Sequence, residues 1–146
     1  MKYLLLLTLL FFSTSCFTQK LECGDLLKKY AIKPSKIEFV QCKTGTGQTI
    51  LEANYKVLGK DSEEIEKFLI KEYGMGKLKF VGYGWESING KKGYVDNEEL
   101  KAIHKNYSIE ISMYGNAEKT TKNGTSEIEF DRYKIDFSLT VKIVEI

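Results

Sequence analysis

The residues of this chain able to do chemistry are few and scattered. There is one histidine, His104, in LKAIHKN; it stands four residues after Leu100, beside the apolar stripe of a short helix. Nucleophilic catalysis around it would need a hydroxyl or thiol on one side and an orienting carboxylate on the other, and no G-x-S-x-G elbow occurs. A helix-edge histidine is the expectation. The 20 carboxylates are mostly explained by helix starts and exposed helix faces (Glu63, Glu64, Glu66; Glu98, Glu99). Acid-base work on a glycoside would need two of them at a set separation in a cleft, for which Glu86, next to Trp85, is the one candidate. Asp96-Asn97-Glu98-Glu99 lacks the spacing and glycine of an EF-hand loop, and no Cys/His spacing suits zinc. Gly45-Thr46-Gly47 joins two strands and Gly74-Met75-Gly76 closes a helix, the wrong polarity for cradling phosphate at a helix N-terminus. The expectation is no catalytic residue, no metal and no cofactor, so not an enzyme.

Aromatics remain. Tyr83, Trp85 and Tyr94, with Phe80 before them, lie in YGMGKLKFVGYGWESINGKKGY (Tyr73 to Tyr94), which also holds six of the twelve glycines. They read either as a strand packing aromatics into a core or as a surface for a partner protein or sugar. KLKFVGYGWE is expected to be one strand, with Phe80, Gly82 and Gly84 on one side and Val81, Tyr83 and Trp85 on the other. Asn89 to Gly93 is expected to be a turn.

The elements that must position these residues follow from periodicity. Cys23, Leu26, Leu27 and Tyr30 recur at helical spacing before Pro34; SKIEFVQC and ILEANYKVLG (Ser35 to Cys42, Ile50 to Gly59) alternate as two strands of a hairpin. Asp61 is the expected cap of a helix bearing Ile65, Phe68, Leu69 and Tyr73 and closed by Gly74. Asp96 is the expected cap of another, bearing Leu100, Ile103 and Tyr107. Strands around Ile109 to Met113 and Ile128 to Ile143 flank a polar turn at Asn123-Gly124. In the last segment the apolar residues move from even positions (Ile128, Phe130) to odd ones (Tyr133 onward), which a bulge at Asp131 and Arg132 would reconcile. The order predicts an α+β domain: a mainly antiparallel sheet of about five strands with two to three helices packed on one face.

The N-terminus reads as an export signal. Lys2 precedes the ten-residue apolar run Tyr3 to Phe12, then Ser13, Thr14, Ser15 and Cys16. At about 1.5 Å per residue this run is too short to span a hydrocarbon core of about 30 Å. Residues 1–15 are assigned to the signal, 16–22 to a tether and 23–146 to a single domain. Two processing routes fit: ordinary cleavage, or lipidation of Cys16 as in a bacterial lipobox, although Ser13 stands where such boxes carry leucine. Lipidation of Cys16 would leave Cys23 and Cys42 as a pair, either disulfide-bonded or as two buried thiols. The sequons at Asn106 and Asn123 carry no weight in a bacterial setting. With 21 lysines to one arginine, Arg132, and a net charge of +2, the composition argues against nucleic-acid recognition.

The segments CGDLLKKY (Cys23 to Tyr30), FVQC (Phe39 to Cys42), LEANYKVLGKD (Leu51 to Asp61) and GMGKLKFVGYGWE (Gly74 to Glu86) resemble a small family of exported bacterial proteins classed only as a domain of unknown function. The resemblance implies envelope location and assigns no residue roles. The expected function is a non-enzymatic envelope protein, lipid-anchored or periplasmic and present as a single copy, that binds another protein or an envelope component. The alternative is a periplasmic inhibitor or immunity protein against a toxin or hydrolase.

Overall fold

The structure is a computed structural model that describes residues 20–146. The signal segment and Cys16 lie outside the described residues.

Helix α1 (Leu26–Tyr30) starts at Asp25, whose carboxylate accepts the Lys28 N–H, and buries Leu26, Leu27 and Tyr30. After Pro34, β1 (Ile37–Thr44) and β2 (Thr49–Val57) form the expected hairpin. The cysteines that flank α1 and end FVQC are bonded: Cys23 and Cys42 form a disulfide with their Cα atoms 5.5 Å apart. Helix α2 (Ser62–Tyr73) follows a single turn of 3-10 helix and closes at Gly74, which takes the left-handed φ of 70°. Asp61 does not cap it: no side-chain capping bond forms, and its Oδ1 instead lies 3.3 Å from Lys36 Nζ, which also reaches Glu64 at 2.6 Å.

The glycine-rich stretch departs from expectation. It is not one strand but two, β3 (Leu78–Phe80) and β4 (Gly84–Ser87), joined by a tight turn in which Gly82 has φ 96°. The reversal resets the alternation, so Phe80 pairs with Trp85 and the two share a face rather than opposing each other. A 3-10 turn at Ile88–Gly90 leads to β5 (Gly93–Val95) and α3 (Glu98–Ile103). The cap of α3 is Asn97, not Asp96: its Oδ1 accepts the Leu100 N–H at 2.8 Å while its Nδ2 donates to the Tyr30 carbonyl at 2.9 Å. An ionised aspartate has no donor for that second bond.

Strand β6 (Tyr107–Asn116) runs into a small hairpin of β7 (Glu118–Thr120) and β8 (Ser126–Ile128), and β9 (Phe137–Glu145) completes the chain. The phase change at Asp131 and Arg132 is not a bulge within one strand. Residues 129–136 cross from the β7–β8 pair to the main sheet through a 3-10 turn at Arg132–Lys134.

The main sheet has seven strands in the order β1-β2-β9-β6-β4-β3, with β5 also on β6, and every pairing is antiparallel. It exceeds the expected five because β3, β4 and β5 are separate short strands. One face carries Leu51, Ala53, Tyr55 and Val57 of β2, Phe137, Leu139, Val141 and Ile143 of β9, and Ile109, Ile111 and Met113 of β6, all buried in one cluster with Leu26, Leu27, Ile65, Leu69 and Leu100 of the three helices. The other face is a polar ladder: Lys43, Glu52, Lys142 and Glu110 lie side by side across four strands. This is the α+β class, with helices on one face and the opposite face open.

Candidate functional site

The strand β4 sets Trp85 opposite Gly115 of β6, on the helix-covered side, because Gly115 continues the buried series of Ile109, Ile111 and Met113. Gly115 must be glycine: a Cβ there would lie 2.4 Å from the Phe137 ring. Trp85 is partly buried and Phe80 packs edge-on against it, with ring centroids 5.6 Å apart; Phe130 in turn lies 5.3 Å from Phe80. The guanidinium of Arg132 sits 5.2 Å from the Trp85 ring and 5.4 Å from the Phe137 ring.

Arg132 is fixed from α2. Its Nη1 lies 2.8 Å from Glu66 Oε2 and its Nε donates to Ser62 Oγ at 3.0 Å; the other Glu66 oxygen accepts the Leu78 N–H at 2.7 Å. The side chains are 14 % and 5 % exposed. One turn earlier on α2, Glu63 accepts from Lys67 and from the Tyr133 hydroxyl at 2.6 Å, and these two partners, Lys67 foremost, bring its carboxyl down to about 2. The nitrogens Arg132 Nη2 and Trp85 Nε1 are buried with no hydrogen-bond partner among the described residues.

Above this base the rings face outward. Phe130 is 70 % exposed and Tyr83 53 %. The Tyr83 carbonyl accepts the Ala117 N–H, and the Ala117 carbonyl accepts the Glu129 N–H, which holds the β3–β4 turn beside the segment carrying Phe130. The result is an aromatic surface on a fixed base, with arginine and tryptophan among the residue types that dominate protein interfaces.

Of the three expected partner-binding aromatics, the structure groups Tyr83 and Trp85 here and separates Tyr94. Tyr94 is 54 % exposed but pairs with Glu110 on the open polar face, on the other side of the sheet. Phe130 was not anticipated as a site residue. Its one sequence signal was the even-to-odd phase change, which marks the crossover that lifts it off the sheet. Glu86 pairs with Tyr114 and Lys79 on the open face and turns away from Trp85, so the two do not share a cleft. His104 ends α3 with its ring 4.8 Å from that of Tyr107 and its Nε2 3.7 Å from Glu145. Among the described residues, no three His, Cys, Asp or Glu side chains converge as metal ligands, and no helix is long and apolar enough to cross a membrane.

No curated protein and no solved structure matches the chain. A family model does, that of a domain of unknown function, DUF4952, over residues 13–85. That match takes in α1, the β1–β2 hairpin, α2 and Trp85 itself, half of the chain, and the protein therefore belongs to the DUF4952 family.

Proposed function

We propose that this protein is an exported, non-enzymatic binding domain of the cell envelope that engages a partner protein through the aromatic surface of Phe130, Phe80 and Tyr83. The observation that carries this reading is the Phe130 ring: 70 % exposed, yet seated on Phe80 and backed by Trp85 and the ion-paired Arg132. A ring already held in place loses little freedom on binding, which favours its use as an anchor. The Cys23–Cys42 bond suits an oxidising compartment, and the apolar run before Cys16 suits export. Acylation of Cys16 would hold the domain at a membrane at about 0.8 kcal/mol per buried methylene.

Two experiments test the two halves. Quantitative capture from native membranes with wild-type protein and with Phe130→Asp should show one partner lost from the variant; equal recovery of every protein by both removes the proposed surface. Labelling with a fatty-acid analogue should mark wild type and spare Cys16→Ala, and equal labelling ends the lipid-anchor reading.

A further inference from the structure

Strand β1 is the outer strand of the main sheet, and among the described residues β2 is the only strand that pairs with it. Its outward edge carries the unmatched backbone donors and acceptors that template strand addition. The side chains along it are not random. Val40 is an extra residue: Phe39 pairs with Tyr55 and Gln41 with the adjacent Asn54, so Val40 has no partner on β2. It stands at the middle of the edge, 58 % exposed.

The bulge alters which residues share a face. In an unbroken strand Glu38 and Lys43 would point to opposite sides, being an odd number of residues apart. With Val40 skipped, Glu38 pairs with Lys56, Gln41 with Asn54 and Lys43 with Glu52, all on the open polar face. Counted in ladder positions, Glu38 and Lys43 then lie two steps on either side of Gln41. An antiparallel second copy centred on Gln41 therefore brings each Glu38 against the other copy's Lys43, on the same face, twice. The opposite face matches Phe39 with Cys42 by the same count.

We propose that β1 is a self-association edge and that its occupant is β1 of a second copy of this chain, joined about a two-fold axis at Gln41 so that the main sheet continues across the dimer. This departs from the single-copy expectation and is independent of the aromatic surface, which lies at the opposite end of the strand order. The Glu38–Lys43 matching makes the contact isologous and sets its register. Bulges often protect an edge from pairing; here the bulge is what makes the edge self-complementary.

Charge reversal tests it. Sedimentation velocity on the full chain in mild detergent, at about 100 μM, a concentration that populates complexes of the micromolar class, should show a dimer for wild type. Glu38→Lys alone and Lys43→Glu alone each place like charges opposite one another and should weaken it about tenfold. An equimolar mixture of the two variants should recover the dimer as a heterodimer, since every facing pair is again of opposite sign. Unchanged melting temperatures would show that both variants fold. A monomeric wild type, variants that dimerise as well as wild type, or a mixture no better than its components would each overturn the proposal.

Discussion

Arg132 and Glu66 are 66 positions apart in sequence and form the most deeply buried ion pair of the domain, with Nη1 2.8 Å from Oε2. Each partner also holds a further group, Ser62 for the arginine and the Leu78 N–H for the glutamate, so the pair locks α2, β3 and the 129–136 crossover together. Breaking it from one side strands a charge in a poorly solvated place. Glu66→Leu or Arg132→Met should each lower stability by about 3–5 kcal/mol. The double variant should lose much less than the sum of the two, because no charge is then left alone. Urea titration of the three variants reads this, and additive losses would show that the two side chains act separately.

Much of what this pair clasps was legible beforehand. The β1–β2 hairpin follows from the alternation of Leu51, Ala53, Tyr55 and Val57, and α2 from the spacing of Ile65 and Leu69; both patterns are local, and the structure keeps them. The site was less legible. One reversal at Gly82 regroups Phe80 with Trp85, and nothing in a ten-residue run of mixed glycine and aromatic residues distinguishes one strand from two short ones. The choice of Asn97 over Asp96 depends on the Tyr30 carbonyl, 67 positions away, and so has no local signature. The position of Phe130 depends on a crossover between two sheets.

The disulfide ties the start of α1 to the edge strand β1 across 19 residues. Cys23→Ser with Cys42→Ser should destabilise the domain by about 3 kcal/mol. Thermal melts with and without a strong reductant give the same comparison on wild type, and a melting temperature indifferent to reductant would contradict the bond's contribution.

Asp25 gives the domain an acid-sensitive joint. Burial raises its pKa, but the hydrogen bonds from Lys33, the Lys28 N–H and the Tyr55 hydroxyl outweigh this and hold the carboxyl below its ordinary value. Because the folded state binds this proton less readily than the unfolded chain, the stabilisation is present above the unfolded value of about 3.9. It is lost as pH falls through the lower folded value. Asp25→Asn should therefore cost about 1 kcal/mol at neutral pH and less below pH about 3. Urea midpoints measured across that range check the sign; a variant whose deficit grows on acidification would refute the assignment.

Phe130 contributes little to the fold by this account, since most of its ring faces water. Phe130→Asp should shift stability by no more than about 0.5 kcal/mol, whereas Trp85→Ala, which removes the ring beneath Arg132, should cost about 3 kcal/mol. Circular-dichroism melts separate the two, and a comparable loss in both would make Phe130 a packing residue.

The claim that Phe130 is a contact point for a partner is tested most directly by placing a photo-activatable phenylalanine at position 130 and irradiating intact cells of the native organism. The account predicts a discrete covalent adduct of one mass from position 130, absent when the same probe replaces exposed Lys122 in the β7–β8 turn. No adduct at position 130, or the same spread of adducts from both positions, would contradict it.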